Sequence, residues 1–293
     1  MKAVIFGSNG QDGFYLSELL KKEGLELFLV SRKNSQIIGD ISDFNFVSNL
    51  IERIKPDFLF NFAAESSISH EHIFSNNQTI SLGTINILES VRLFSKKTKV
   101  FLCGSALQFK NSNEPIDENT EFLGNNPYSI FRINSTLIAR YYRKNFGLNI
   151  YFGYLFNHDS PLRSESHINQ KIISVTKRIS KGSTEKLIIG NYNVIKEFSF
   201  AGDIVEAIWI FVNQDQIFEI VIGSGRGYKI LDWIKLSFSS FNLNWEDHVG
   251  IDSKFKSEYE VLISKPTKLF NMNWMVRTSF EELFHLMLNS KSE

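Results

Sequence analysis

The chain has little of what several protein classes require. It has one cysteine, Cys103, among 293 residues, which excludes a disulfide framework and a zinc site with cysteine ligands. Its 32 lysines and arginines are balanced by 32 aspartates and glutamates, and a zero net charge argues against a nucleic-acid partner. No apolar run approaches the ~20 residues that a membrane span needs. We therefore expect a soluble cytoplasmic protein with no metal site and no membrane partner.

Short apolar runs alternate with longer amphipathic stretches in the first half of the chain. Strands are predicted at 3–6, 25–30, 57–63, 99–103 and 148–155. Helices are predicted between them at 12–23, 44–54, 80–96 and 127–145. This rhythm predicts right-handed crossovers and a parallel sheet that helices cover on both faces.

The rhythm loosens after Phe156. Further elements are predicted as helices at 172–180, 203–211 and 278–288 and a strand at 217–222, with capping chemistry at Asp203 and Ser279. The fold class is therefore α/β, a doubly wound parallel sheet with a smaller C-terminal α/β lobe. We assign residues 1–156 and about 196–225 to a nucleotide-binding domain, and residues 157–195 and 226–293 to the lobe that binds substrate.

Three glycines follow the first predicted strand and open the first helix. Gly7, Gly10 and Gly13 have the spacing G-x-x-G-x-x-G, with Gln11 and Asp12 between the last two. Glycines at this place allow a tight turn and a close approach to a pyrophosphate, which the positive end of the helix attracts. The turn therefore indicates a dinucleotide site in a Rossmann-type domain, and the alternative is a structural turn without a ligand.

The end of the second strand indicates which dinucleotide binds. Arg32 and Lys33 stand where NAD-binding proteins usually have an acidic residue, so the sequence favours NADP over NAD. The alternative is an ordinary solvated pair of cations. Asp40 is a candidate to contact the adenine edge, and the alternative is that it is a turn aspartate. We also place Ala63, at the end of the third strand, in the cofactor site.

The fourth strand and the helix at 127–145 carry the candidate catalytic residues. Ser105 follows the fourth strand, and Asn126 and Pro127 are suited to cap and to start the helix. Tyr128 and Arg132 are one helical turn apart on one face of this helix. A phenol next to a fixed cation and a helix N-terminus is suited to accept or donate a proton, and a serine hydroxyl can share that proton. This arrangement on a dinucleotide-binding sheet is typical of hydride transfer at a carbon that bears a hydroxyl group.

Motifs along essentially the whole chain resemble those of the GDP-mannose 4,6-dehydratase family, a branch of the extended short-chain dehydrogenases/reductases. They are GQDG at 10–13, GDISD at 39–43, NPY at 126–128, LFNHDSPLR at 155–163, DIVEAIW at 203–209 and TSFEEL at 278–283. The resemblance implies an NADP-dependent enzyme acting on a GDP-hexose. It places Asn157, Arg163 and Lys171 in the nucleotide-sugar pocket and Lys196 at the diphosphate. It also implies a homodimer or homotetramer, formed through the helices at 80–96 and 127–145.

The sequence departs from this family at the positions that carry the chemistry. Leu107 stands where the family has a glutamate, Arg132 stands where it has the lysine partner of the tyrosine, and Ser257 aligns with a family arginine. The resemblance implies removal of hydride from C4, then loss of the C5 proton as water leaves C6. Leucine cannot accept that proton, so the elimination has lost its base.

Glu65, just after the third strand, is a candidate substitute for the missing base. The alternative is that Glu65 is a structural or solvated carboxylate. We therefore expect redox chemistry at C4 of a GDP-hexose. The alternatives are a 4-keto-sugar reductase, an epimerase, or a paralogue that binds a nucleotide sugar without catalysis.

Overall fold

The computed structural model describes residues 1–255 and 257–290. In this part of the chain the strands, numbered β1 to β14, are Lys2–Phe6, Glu26–Ser31, Ile37–Ile38, Phe58–Asn61, Lys99–Ser105, Ile150–Leu155, His158–Asp159, Leu187–Ile189, Ile195–Glu197, Ser199–Phe200, Glu219–Ile222, Gly227–Lys229, Val249–Ile251 and Val261–Leu262. The α-helices, numbered α1 to α10, are Gln11–Lys22, Phe44–Ile54, Ile73–Asn76, Gly83–Phe94, Pro127–Phe146, Ile168–Ser180, Ala201–Val212, Ile230–Ser239, Thr267–Phe270 and Phe280–Leu288. None of the described helices has both the length and the apolar character that crossing a bilayer requires.

A seven-stranded parallel sheet forms the centre of the described structure. Its strand order is β11-β6-β5-β4-β1-β2-β3, so the chain winds outward from β1 in both directions. This confirms the predicted doubly wound parallel sheet. The predicted strands and helices of the first half are present, with small differences at their ends.

Side chains alternate along each strand between two apolar layers. Val4 and Phe6 of β1 face the layer covered by α2, α4 and α5, whereas Ala3 and Ile5 face the layer covered by α1 and α7. All four are at most 1% exposed, which explains why the strand is apolar without interruption. The carboxyl ends of the strands are therefore held at one edge of a rigid sheet.

Two helix starts test the predicted capping. Asn126 caps α5 as expected, because its side chain accepts a hydrogen bond from the Ser129 N–H at 2.9 Å. The predicted start at Asp203 is wrong, because α7 begins at Ala201. The Asp203 carboxylate instead accepts hydrogen bonds from the backbone N–H groups of Arg277 at 3.1 Å and Thr278 at 2.8 Å, so it fastens α7 to the segment before α10.

The second half of the chain contributes to both parts of the molecule. Strand β11 joins the edge of the main sheet, while β12, β9 and β14 form a separate three-stranded sheet. Helices α6, α8 and α10 enclose a third apolar core around Trp233 and Phe284. The exact division into two domains stays a prediction, but this lobe stands beside the carboxyl edge of the main sheet.

A buried carboxylate holds two loops of the lobe together. Glu197 is fully buried and accepts hydrogen bonds from the backbone N–H groups of Ser224, Gly225 and Ser264 and from both serine hydroxyls. Burial raises the pKa of the Glu197 carboxyl, and the hydrogen bonds from Ser264 and Ser224 act in the opposite direction. The neighbouring residue Lys196 is thereby fixed on the opposite face of the same strand.

We predict that Glu197→Ala lowers the free energy of unfolding by about 3–5 kcal/mol, because it leaves several buried donors without an acceptor. Glu246→Ala, at an exposed glutamate of the same lobe, is the matched control and should change it by less than about 0.5 kcal/mol. Denaturant titrations of both variants measure the difference. Equal stability of the two variants would contradict the role given to Glu197.

Candidate functional site

A cavity of about 420 Å³ opens at the carboxyl edge of the sheet, beside the C-terminal lobe. Its walls come from the start of α1, the end of β5, the first turn of α5, the segment 155–159 and the start of α6. A smaller cavity of about 180 Å³ adjoins it and shares Gly10, Phe62 and Ala64 with the larger one. The carboxyl edge is where open α/β sheets bind ligands.

The glycine turn lies between the two cavities. Gly7 has φ +78°, and a Cβ atom there would lie 2.6 Å from the Ala63 nitrogen, so only glycine fits. A Cβ atom on Gly13 would collide with the Gly7 carbonyl oxygen, so this glycine permits close packing of α1 on the turn. Within the described structure no side chain caps α1 at Gly10, which leaves first-turn N–H groups for an anion. These features fit the pyrophosphate of a dinucleotide.

The smaller cavity contains some of the residues expected to select the dinucleotide. Arg32, Asp40 and Ala63 line it together with Gly7. Lys33 is exposed and is not one of its lining residues; its carbonyl oxygen accepts a hydrogen bond from Asn9 at 2.5 Å. The Asp40 carboxylate accepts from the N–H and hydroxyl of Ser42 at 2.9 and 2.8 Å, which is the turn role that the sequence left open.

The three expected catalytic residues line the larger cavity together. The Ser105 hydroxyl oxygen accepts a hydrogen bond from the Leu107 N–H at 3.2 Å, so its own proton is free to be donated. Tyr128 is in the first turn of α5, and the guanidinium carbon of Arg132 lies 5.1 Å from the centre of its ring. The topology thus brings the end of β5 and the start of α5 to one wall.

Arg132 packs against Tyr128, and its polar contacts are unusual for a buried cation. Its side chain is buried, and Nη1 donates a hydrogen bond to the Cys103 carbonyl oxygen at 2.5 Å. Among the described residues its Nε has no hydrogen-bond partner and no carboxylate forms an ion pair with the guanidinium. A charge that is buried without a counter-ion is costly unless a ligand compensates it.

The structure separates Leu107, at the position of the missing base, from Glu65, the candidate substitute. Leu107 lines the larger cavity, so an apolar side chain occupies the wall where the resemblance implies a carboxylate. Glu65 is not among the residues that line either of the two cavities. Its carboxylate instead accepts a hydrogen bond from Ser67 N–H at 3.2 Å and lies 3.9 Å from His72 Nδ1.

The expected nucleotide-sugar residues are only partly brought together. Asn157, Arg163 and Lys196 line the larger cavity, and Asn157 Oδ1 is buried there without a hydrogen-bond partner among the described residues. Lys171 is not a lining residue, because its ammonium donates to the Ile188 carbonyl oxygen at 2.9 Å on the exposed side of α6. The resemblance placed Lys171 in the pocket, and this geometry directs it elsewhere.

The cavity wall is cationic where the lobe contributes to it. Lys196 is 6% exposed, and its ammonium lies 5.0 Å from the centre of the Phe198 ring. Burial lowers the pKa of Lys196, with Asp159 opposing and Arg163 adding to the effect. His167, the residue before α6, is a further lining residue that the sequence did not indicate, and burial and Arg163 lower its pKa. An anionic group in this cavity would relieve the unfavourable burial of charge.

Three polar contacts join the glycine turn to the segment 156–160, and a fourth lies within that segment. Gln11 Nε2 donates to the His158 carbonyl oxygen at 3.2 Å, and Ser160 Oγ donates to Gln11 Oε1 at 2.9 Å. His158 Nε2 lies 2.9 Å from Asp12 Oδ1, and His158 Nδ1 lies 2.7 Å from the Phe156 carbonyl oxygen. We call Gln11, Asp12, His158 and Ser160 the clamp. The sequence placed Gln11 and Asp12 at the cofactor, but it gave no sign that they contact residues about 150 positions away.

The two charges of the clamp stabilise each other. Both ring nitrogens of His158 face oxygen acceptors, an arrangement that favours the doubly protonated imidazolium. Burial alone would lower the pKa of His158, but Asp12 and the Phe156 carbonyl raise it above its ordinary 6.5. Burial alone would raise the pKa of Asp12, but His158 and Arg163 lower it below its ordinary 3.8. The clamp therefore contains an ion pair between a buried histidine and a partly buried aspartate.

The described sheet, with a glycine turn and a cavity at its carboxyl edge, defines a Rossmann-type α/β protein. The family model for GDP-mannose 4,6 dehydratase matches residues 4–287. The chain belongs to the GDP-mannose 4,6 dehydratase family.

Relatives agree with this family membership, and solved structures share the fold. The chain is 29% identical to GDP-mannose 4,6 dehydratase 1 of Arabidopsis thaliana, over 99% of this chain and 90% of that protein. It is 26% identical to the Homo sapiens GDP-mannose 4,6 dehydratase, over 99% and 91% of the two chains. The fold is similar to RMD of Pseudomonas aeruginosa complexed with NADPH, with a TM-score of 0.87 and 17% identity over 99% and 98% of the two chains. It is also similar to Thermus thermophilus UDP-glucose 4-epimerase with NAD, with a TM-score of 0.86 and 18% identity over the same shares.

The ion pair of the clamp predicts how stability depends on pH. The raised pKa of His158 adds stability that is complete below 6.5 and is lost as pH rises through the folded value. The lowered pKa of Asp12 adds stability that is complete above 3.8 and is lost as pH falls through the folded value. The stability lost on Asp12→Asn should therefore be largest between these two ordinary values and smaller in alkaline solution. Urea titrations across this range measure it, and a loss that grows with rising pH would contradict the ion pair.

Proposed function

We propose that this protein is a nicotinamide-dependent enzyme that transfers hydride to or from C4 of a nucleotide sugar, with a GDP-hexose as the expected substrate. One observation carries the proposal. The candidate hydride-transfer residues, Ser105, Tyr128 and Arg132, line the same cavity as the candidate nucleotide-sugar residues Asn157 and Lys196. A redox reaction at a sugar carbon requires these two sets of side chains to face one space.

The family and the cavity support the choice of ligands. Relatives bear the name GDP-mannose 4,6 dehydratase, and structures of similar fold contain NAD or NADPH. Arg32 lines the smaller cavity next to the glycine turn, which favours NADP because an arginine accommodates the 2′-phosphate. The bound nicotinamide would supply the acceptor or donor of the hydride.

The side chains of the cavity suit the proton transfer that accompanies this hydride transfer. In the oxidative direction the Tyr128 oxygen takes the proton of the C4 hydroxyl group, and in the reductive direction it returns that proton. The Ser105 hydroxyl donates a hydrogen bond to the sugar oxygen while its lone pair is held by the Leu107 N–H. The Arg132 guanidinium packs against the face of the Tyr128 ring and holds that ring at the wall of the cavity.

The same cavity is poorly suited to the elimination step. Among the described lining residues the carboxylates are Asp12 and Asp159. Asp12 is paired with His158, while Asp159 is 3.2 Å from Arg163 and accepts a hydrogen bond from Asn169 at 2.5 Å. Because both are already committed and Leu107 is apolar, we propose that the chemistry is confined to C4, as in a 4-keto-sugar reductase or a 4-epimerase.

Tyr128→Phe should lower the rate of hydride transfer by about 10²–10⁴-fold, because it removes the group that moves the proton while leaving the ring over Arg132. The assay follows nicotinamide absorbance with GDP-mannose and with GDP-linked 4-keto sugars. Tyr141→Phe, at an exposed tyrosine of the same helix, is the matched control. Tight binding of GDP without turnover of any substrate in a panel of GDP-, UDP-, CDP- and dTDP-sugars and their 4-keto forms would contradict the enzyme proposal and favour a binding paralogue.

Two lysines of the lobe provide a second test. Lys196→Met should weaken GDP binding by about 10–100-fold, because it removes a buried charge-assisted contact from the cavity. Lys171→Met should leave GDP binding within about twofold, because its ammonium is bonded to Ile188 outside the cavity. Calorimetric titration with GDP measures both variants. A larger effect at Lys171 than at Lys196 would contradict the proposed diphosphate position.

We also propose that α4 and α5 form the contact of a homodimer or of a homotetramer. The two helices are adjacent, with Tyr142 Oη donating to Glu89 Oε2 at 2.9 Å, and each exposes apolar side chains at helical spacing. We take these side chains as one apolar row. These are Ile85, Leu93, Ile130, Leu137 and Tyr141. An apolar patch of this kind favours a protein partner, and the family resemblance favours a second copy of the chain.

Leu137→Glu should therefore shift the protein toward monomers, because it places a charge in the centre of this row. Light scattering after size-exclusion chromatography measures the mass. Leu286→Glu, at an exposed leucine of α10, is the control that should leave the mass unchanged. A wild-type protein that is monomeric at micromolar concentration would contradict the proposal.

A further inference from the structure

The clamp lies between the two proposed ligand sites. Asp12 is the second residue of α1, the helix whose N-terminus faces the glycine turn, and His158 belongs to the segment that forms the opposite wall of the larger cavity. Both side chains are among the residues that line this cavity. The contact therefore joins the part of the chain that would hold the pyrophosphate to the part that would hold the sugar.

A carboxylate at this place is favourable for the helix but opposes the binding of a pyrophosphate. The N-terminus of a helix attracts an anion, but Asp12 brings a negative charge to the same first turn and would repel a pyrophosphate. The His158 imidazolium, 2.9 Å away, neutralises that charge. The dinucleotide site is thus completed by a cation that comes from the wall of the other site.

The contacts continue from the clamp into the lobe. Arg163 Nη2 donates to the His158 carbonyl oxygen at 3.1 Å, and Arg163 Nε lies 3.2 Å from Asp159 Oδ1. Asp159 in turn accepts a hydrogen bond from Asn169 at the start of α6. A ligand that orders either wall therefore also orders the clamp, and the second ligand meets a wall that is already arranged.

We propose that Asp12 and His158 are positioning residues that couple the two ligand sites, so that dinucleotide and nucleotide sugar bind with positive cooperativity. The inference rests on the proposed function, because it assumes that these two ligands occupy the two sites. It goes beyond that function by assigning the coupling to one ion pair and its neutral supports, Gln11 and Ser160.

The experiment measures GDP affinity calorimetrically in the absence and in the presence of saturating NADP, for the full-length protein. For the wild type we expect NADP to tighten GDP binding at least about fivefold, and GDP to tighten NADP binding by the same factor. In His158→Gln each ligand should still bind, but the factor should fall to within about twofold of one. His285→Gln, at an exposed histidine of α10, should keep the wild-type factor. A change in stability alone would not remove this factor, so the coupling distinguishes a positioning role from a structural one.

Asp12→Asn provides a second variant with nearly the same shape, for use where His158→Gln does not fold. It should also abolish the coupling, and combining the two substitutions should add nothing further, because both act on one pair. Full coupling in either variant, or independent binding of both ligands to the wild type, would overturn the inference while leaving the proposed function intact. Failure of the wild type to bind either ligand would overturn the proposed function and the inference together.

Discussion

A buried imidazolium and a partly buried carboxylate meet at the N-terminus of α1, where the main sheet and the C-terminal lobe contribute to one cavity. His158 and Asp12 lie 2.9 Å apart, and neither is stable as a buried charge without the other. The rigid parallel sheet fixes Asp12, whereas the segment after β6 carries His158. The relative position of the two walls, and hence the shape of the site, depends on this pair.

The chemistry that we propose for the site follows from which charges are already paired. The carboxylates of the cavity wall, Asp12 and Asp159, are paired within the described structure, while the cations Lys196 and Arg132 form no ion pair there. Such a cavity favours an anionic ligand and the movement of a proton by the Tyr128 phenol. It does not favour removal of a proton from carbon, because Leu107 supplies no base.

Most of the fold was predictable from the sequence because its signals are local. Three local patterns each predict the structure around them, and the structure confirms all three. They are the uninterrupted apolar strands, the glycine turn at the end of the first strand and the helix start at Asn126 and Pro127. Tyr128 and Arg132 lie at one wall of the cavity for an equally local reason, because helical spacing places them on one face of α5. Family membership followed from motifs that are specific and cover the whole chain.

The other features of the site depend on distances between side chains that are far apart in the sequence, and the order of residues along the chain does not give these distances. Lys171 and Lys196 look equivalent as cations, yet one donates to the backbone of its own lobe and the other lines the cavity. Glu65 follows a strand that ends at the site, but its loop directs the carboxylate toward His72. The clamp joins residues about 150 positions apart, and neither Asp12 nor His158 carried a local signal of the other.

A crystal structure of the protein with NADP and GDP-mannose tests the central claim most directly. The account predicts the pyrophosphate of the dinucleotide at the start of α1, the GDP diphosphate beside Lys196, and the Tyr128 hydroxyl group within hydrogen-bond distance of the sugar oxygen on C4. A nucleotide sugar bound outside the cavity, or a Tyr128 hydroxyl group directed away from both ligands, would contradict it.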